Sequence, residues 1–307
     1  MSIGFEAVKA PYRTDVLPEG MAVKRLDDYF PEKNPIVFIF ALENHYGTLK
    51  PIGFFDFLKK TYPGCKLILT LGNPVDYYRS TFGMFANRAS TAEILSTFDM
   101  VCTYNEPDAR EFGLRHYDGP YCGLPVIANN EMTSDVFFIG LAKKRLDKII
   151  RTYEMLKGCG LVCDFYIATD GADIPSEFQK YPQEIHYNRY LPYTEVLEHV
   201  ARSRGVLEVA QEGTFGITVR YFESLVYDKN FITDNQFFNQ ERFASSPKIF
   251  FIDEWKNPKV DREKYLAAAQ FSHNYRNEYS ALNYLSFLEY ELNRSKKIFS
   301  CRKGSLI

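Results

Sequence analysis

EVAQEGTFGITVRYFESLVYDKNFITDN, Glu208 to Asn235, is the stretch that decides the fold. Its apolar "VLEVA" reads as a buried strand, "QEGTFGIT" as a glycine-spaced loop, "VRYFESLVYDK" as a helix and "NFITDN" as the next strand. In an open parallel sheet, ligands sit beyond the carboxyl ends of strands, where such loops lead into helices. Gly213 and Gly216 let the backbone turn sharply or approach a ligand closely. The free N–H groups and positive dipole end of the helix suit an anion. Arg220 adds a fork of donors matched to phosphate oxygens, and Glu223, about a turn into the helix, can accept from a pair of sugar hydroxyls. Phosphate and vicinal diol together describe a nucleotide. The same spacing also allows a plain surface ion pair between Arg220 and Glu223.

Working outward, the alternation of strand and helix continues on both sides. "SDVFFIG" is a strand halting at Gly140. The helix "KKRLDKIIRTYEMLKGCG" follows, with Leu146, Ile149, Ile150, Tyr153 and Leu156 on one face. "CDFYIAT" and "EIHYNRYLPY" are strands, "TEVLEHVARSRG" is a helix, and "KIFFID" completes the set. Upstream, "PIVFIF", "CKLILTLGNP" and "DMVCTY" are strands alternating with helices, among them "GFFDFLKKTYPG" and "STAEILSTF". Strands apolar on both faces between helices indicate parallel sheets covered on both sides. The Gly/Pro/Asn-rich "YDGPYCGLPVIANNEMTS" marks a boundary. The expectation is an α/β chain of two Rossmann-like, doubly wound domains facing a cleft, residues 1–133 and 134–258. A helical tail, 259–307, is expected to pack back across them.

Bulk properties narrow the class. A chain of 307 residues with 46% hydrophobic and 25% charged residues suits two globular domains rather than disorder. The net charge of −2 offers no general attraction to nucleic acid, so any anion must be met by local groups. The 22 tyrosines and 26 phenylalanines are mostly core material. The six cysteines are scattered without a C-x-x-C pair, as free thiols of a reducing compartment would be. The sequence opens without the apolar run of a signal peptide and holds no stretch near the ~20 apolar residues of a membrane span. A soluble cytoplasmic protein is expected.

The order "DVFFIG", helix, "CDFYIA", then "IHYNRYLPYTEVLEHVARSRGVLEVAQEGTFGITVRYFESLVYDKNFITDN" resembles the C-terminal nucleotide-sugar domain of GT-B glycosyltransferases. It is most similar to small bacterial members of capsule, O-antigen and lipopolysaccharide synthesis. "NRYLPYTEVLEHVARSRGVLEV" resembles the family's turn, Tyr-x-x-Val-Leu helix and strand. "EGTFGITVRYFESL" resembles its acidic, glycine-spaced loop and helix, and "KNFITDN" the strand that usually reads like P-V-I-A-T. The likeness spans about residues 134 to 255, with the N-terminal half similar in architecture only. Many retaining members carry E-x7-E, whereas Glu212 and Glu223 stand eleven apart. The resemblance implies a transferase moving a sugar from a nucleotide-sugar donor to a glycan or lipid-linked acceptor. It assigns the donor ribose to Glu223 and the diphosphate to Arg220 with the amides of Gly216, Ile217 and Thr218. Gly140, Arg189 and Gly213 join the donor side, and Glu212 would face the donor sugar.

In such enzymes the acceptor sits mainly on the N-terminal domain. An inverting reaction needs a base near the acceptor hydroxyl, for which Glu43, His45 and Asp76 stand in strand-end loops. His45 reads sooner as a loop-bonding residue, and Asp76, after Pro74, also suits the cap of a helix or turn. "YNEPDAREFGL" resembles a structural segment of the family, with Asp108 expected to cap a short helix and Gly113 to end it. No histidine pair has metal-ligand spacing and no D-x-D triplet lies near a strand end, so no cofactor and no essential metal are expected. The segment "ELNRSKKIFSCRKGSLI" clusters Arg294, Lys296, Lys297, Arg302 and Lys303 around Ile298 and Phe299. It suits either a solvated chain end or a peripheral contact with the anionic inner leaflet. Neither a G-x-G-x-x-G after the first strand nor a G-x-x-x-x-G-K-[ST] occurs. Two other classes stay open: a non-catalytic nucleotide- or glycan-binding protein, and another nucleotide-sugar enzyme such as an epimerase.

Overall fold

A computed structural model describes residues 37–40, 50, 53–119, 121, 131–169, 174–176, 179, 184–252, 260–273 and 278–303. The described residues of Met1–Thr103 and Glu111–Arg115 form one compact unit, and those of Tyr104–Arg110 and His116–Ile307 another.

In the first unit, β1 (Val37–Phe40), β2 (Lys66–Leu71) and β3 (Met100–Thr103) pair in parallel, and β4 (Arg115–His116) completes the order β1-β2-β3-β4. Its helices are α1 (Phe54–Thr61), α2 (Val75–Phe82) and α3 (Arg88–Thr97), while Glu106–Arg110 of α4 (Glu106–Phe112) belong to the second unit. Leu67, Leu69 and Leu71 join Leu58, Tyr62, Val75 and Tyr78 in a buried cluster, while Ile68 is buried as well. Both faces of β2 are therefore covered, as its unbroken apolar run requires. Two local expectations are corrected. "GNPVDYYRS" is loop only to Pro74. There the amides of Gly72 and Asn73 donate to the Tyr78 hydroxyl at 2.8 and 3.0 Å, and α2 begins at once. Asp108 does not cap α4, which starts two residues earlier, so Asp108 lies within its first turn. Gly113, at φ +67°, follows its last residue.

The second unit is built on six strands: β5 (Ser134–Leu141), β6 (Cys163–Ala168), β7 (Ile185–Tyr187), β8 (Ser203–Glu208), β9 (Asn230–Thr233) and β10 (Ile249–Phe251). Their order is β10-β9-β8-β5-β6-β7 and every pairing is parallel. The winding reverses between β5 and β8, the topological switch point where open α/β sheets bind ligands. The connecting helices are α5 (Leu146–Gly158), α6 (Tyr193–Ala201) and α7 (Val219–Val226). On α5, Ile149, Ile150, Tyr153 and Leu156 are buried at helical spacing, and Gly160 at φ +77° turns the chain into β6.

Among the described residues the tail carries α8 (Arg262–Ala267) and α9 (Ala281–Lys303). Asp261 caps α8 by accepting from the Lys264 amide at 3.0 Å. After α8, the His273 amide donates to Asp228 Oδ1 at 3.0 Å. Tyr265 of α8 is fully buried, its hydroxyl donating to the Asp135 carbonyl at 2.7 Å. A Cβ at Gly205 would lie 2.2 Å from that hydroxyl, which explains a glycine inside a central strand. Among the described residues, no helix is long and apolar enough to cross a membrane.

Candidate functional site

The carboxyl ends of β5 and β8 meet at the switch point, and the loop 209–218 leaves from β8. Glu208, the last residue of β8, is buried beneath that loop. Its carboxylate accepts from the Thr233 hydroxyl of β9 at 2.6 Å and from the hydroxyl of Thr218. Burial pushes this carboxyl above its ordinary range, against the opposing pull of the two hydroxyl bonds. Thr218 is the N-cap residue of α7, yet no side chain caps the helix among the described residues, because its hydroxyl is turned toward Glu208. The N-terminus of α7 is thereby left without its customary side-chain acceptor.

The glycines shape the loop around this arrangement. Gly213 has φ +80° with open space around it, and Thr214 closes the turn by donating to the Gln211 carbonyl at 3.1 Å. At Gly216 a Cβ would stand 2.3 Å from the Tyr104 carbonyl oxygen, so only glycine fits. The flanking backbone is pinned: the Phe215 amide donates to Asn105 Oδ1 at 2.9 Å, and Asn235 Nδ2 donates to the Gly216 carbonyl at 2.9 Å. Ile217 is buried in the aromatic cluster of Tyr221, Phe222, Phe237 and Phe238, so it offers its backbone alone. Glu212 is exposed at the loop tip.

The β5 side contributes basic groups that sequence reasoning missed. Arg145 folds back to donate to the Leu141 carbonyl at 3.0 Å and to the Val209 carbonyl, tying the ends of β5 and β8 together. At Gly140 a Cβ would stand 3.3 Å from the Phe138 ring, a tight contact, and 3.7 Å from an Arg145 nitrogen, an ordinary one. Burial lowers the Arg145 pKa, opposed by the charges of Glu208 and Asp234. Lys148 pairs with the buried carboxylate of Asp234, which also accepts from the Ala210 amide at 2.6 Å. Lys143 reaches across to Gln211 Oε1 at 2.8 Å. The available signal was "KKRLDK", four cations where a helix begins, the end that ordinarily favours acids.

Arg220 and Glu223 do form the pair that their spacing allows, but not on the surface. Arg220 Nη1 donates to Glu223 Oε2 at 2.6 Å, with the glutamate side chain 0% and the arginine 19% exposed. The Tyr193 hydroxyl donates to Glu223 Oε1 at 3.1 Å and shares a 2.8 Å bond with the Tyr121 hydroxyl. Burial raises the Glu223 carboxyl above its ordinary range, with Arg220 and Tyr193 opposing the shift. The remaining candidates lie apart. Arg189 is exposed beyond edge strand β7, its guanidinium 5.8 Å from the centre of the Tyr166 ring, and among the described residues no contact joins it to Arg220 or Glu223. Asp76, in the first turn of α2, pairs with Arg79 at 2.7 Å and is 85% exposed. Glu43 and His45 lie outside the described residues. Among the described residues, no three His, Cys, Asp or Glu side chains group closely enough to hold a metal ion.

No family model matches the sequence, and no curated protein does. Among solved structures, an α-glucosyltransferase in complex with UDP and a DNA 13-mer containing an HMU base is similar over 85% of this chain and 80% of its own. The TM-score is 0.52 and the identity 11%. The chain has the GT-B fold. Two further similar structures are a sucrose-phosphate synthase from Thermosynechococcus elongatus and a UDP-GlcNAc 2-epimerase from Neisseria meningitidis bound to UDP-GlcNAc. The first has a TM-score of 0.45 and 9% identity, covering 90% of this chain and 77% of its own. The second has a TM-score of 0.38 and 12% identity, covering 83% and 100%. At these identities the likeness is one of fold, and chemistry has to be argued from the side chains.

Proposed function

We propose that this protein is a glycosyltransferase that moves a sugar from a nucleotide-sugar donor to a glycan or lipid-linked acceptor in the building of a bacterial surface polysaccharide. The observation that carries the reading is the start of α7 at the switch point, uncapped because Thr218 serves Glu208. In this reading the amides from Gly216 through Thr218, with Arg220, receive the donor diphosphate, while Glu223 receives the ribose. The Lys143 and Lys144 side chains beyond β5 add positive charge at the same strand ends. In transfer, the bond between the sugar's anomeric carbon and the phosphate oxygen breaks, and the acceptor oxygen bonds to that carbon. The departing diphosphate gains negative charge, which fixed amides and cations stabilise most. Gly140, Gly213 and Arg145 shape the site through the backbone, and Glu212 faces the donor sugar from the loop tip. His45 or Asp76 takes the acceptor proton. The basic C-terminal segment holds the protein peripherally at the inner membrane, and neither a metal nor another cofactor takes part.

The Asp76–Arg79 ion pair favours a second reading, a nucleotide-binding protein without transferase activity, because it occupies a candidate base. A thermal-shift panel of UDP, GDP, CMP and dTDP followed by donor-turnover assays separates the alternatives. Stabilisation by one nucleotide, with sugar release only when an acceptor is present, is the expected outcome. Turnover without an acceptor indicates an epimerase-like enzyme, and stabilisation without turnover a binding protein. Stabilisation by none removes the reading.

A further inference from the structure

Glu223 is paired entirely within the protein. Its side chain is fully buried, and each oxygen already has a donor: Arg220 on Oε2 at 2.6 Å and the Tyr193 hydroxyl on Oε1 at 3.1 Å. The two covers differ in kind. Arg220 is held by opposite charge from the same helix. Tyr193 is the first residue of α6, follows Pro192, and has 43% of its surface exposed. Neutral hydroxyl bonds hold its tip to Glu223 and, at 2.8 Å, to Tyr121, whose ring lies parallel to Phe222 at 5.5 Å.

Resting on the reading that Glu223 takes the donor ribose, we propose that the Tyr193 hydroxyl holds the place of a ribose hydroxyl on Glu223 and is displaced by it. Tyr193 thereby sets both nucleotide affinity and the preference for a ribose diol. A phenol and a sugar hydroxyl make the same bond to a carboxylate, so the exchange leaves no buried acceptor unpaired. Burial and the neighbouring carboxylate push the Tyr193 phenol far above its ordinary value, so it remains a donor rather than a competing anion. A vicinal diol brings two donors where one leaves. A dideoxyribose brings none, and would leave a buried carboxylate oxygen bare. The affinity measured for wild type is lowered by the fraction of molecules in which Tyr193 still covers Glu223.

Isothermal titration of UDP, GDP, ADP and CDP, and of their 2′,3′-dideoxy forms, into wild type, Tyr193→Phe and Glu223→Gln tests this directly. Thermal melts beforehand confirm that each variant is folded. Tyr193→Phe is expected to bind the preferred ribonucleotide about three- to tenfold more tightly than wild type. The dideoxy form should show no such gain, and Glu223→Gln should weaken ribonucleotide binding. If Tyr193→Phe binds equally or less tightly while Glu223→Gln is weakened, Tyr193 orients Glu223 and the displacement is overturned, with the ribose site intact. An equal gain for dideoxy and ribose forms makes Tyr193 a mere steric cover and also overturns it. Ribonucleotide binding unaffected by Glu223→Gln, or absent from wild type, removes the ribose site and the stand-in together.

Discussion

Two ion pairs in this protein share one spacing, with the charges in opposite order, and differ in almost everything else. Asp76–Arg79 opens α2 after β2, and Arg220–Glu223 opens α7 after β8; each pair is three residues apart on a helix that follows a parallel strand. The Asp76 side chain is 85% exposed and that of Arg79 40%, whereas Glu223 is 0% and Arg220 19% exposed. Water screens the first pair, and side-chain entropy consumes most of what attraction remains. The second gave up its hydration and depends on good geometry and on Tyr193 to compensate. Burial is thus what makes one pair a candidate for specific chemistry while the other is a solvated helix face that a reacting group must first disrupt.

The largest effect should come from cutting the buried pair. Glu223→Ala leaves Arg220 without its counter-ion and is expected to cost about 3 kcal/mol in urea unfolding. A loss below about 1 kcal/mol would mean that the two pairs are energetically alike. Next comes the loop that precedes α7. Gly216→Ala drives a Cβ against the Tyr104 carbonyl and should cost about 2 kcal/mol. Gly213→Ala has room but a left-handed backbone, and should cost about 1 kcal/mol. Equal losses would show that the loop yields at Tyr104.

A pH series sharpens the contrast. The folded pKa of Glu223 lies above its ordinary 4.5, so the folded state holds that proton more tightly than the unfolded chain. Its contribution is complete below 4.5 and falls as the pH rises through the folded pKa. The stability of wild type relative to Glu223→Gln should therefore decline as the pH is raised above 4.5. A relative stability that grows with pH would reverse the assignment. Smallest of all, Asp76→Ala should shift unfolding by no more than about 0.5 kcal/mol. A fall in transfer rate at that unchanged stability would identify Asp76 as the acceptor base, and an unchanged rate would exclude it.

What could be read from the sequence, and what could not, follows the range of the interactions. The strand, loop and helix of Glu208–Asn235 were legible because alternating apolar runs, glycine spacing and the Arg220–Glu223 pair are local. The partners that give the pair its character were not. Tyr193 lies 30 residues from Glu223, and Lys148 lies 86 from Asp234; strand order alone brings them together. Glu208 looked like the end of a strand, since nothing local shows that a buried acid will take the hydroxyl of Thr218 away from its helix. The helix α2 was read as loop because Gly-Asn-Pro opens it and only eight residues follow. The bond from His273 to Asp228, 45 residues away, is likewise one that no helical periodicity carries.

The central claim is that a nucleotide sits at the start of α7. Hydrogen–deuterium exchange over peptides covering residues 209–222, with and without a saturating nucleoside diphosphate, tests it most directly. At ~100 times its dissociation constant such a ligand stabilises the fold by ~2.7 kcal/mol. The expected result is protection concentrated in the amides from Gly216 to Phe222. Protection confined to other strand ends, or no protection with any nucleotide, would contradict the account.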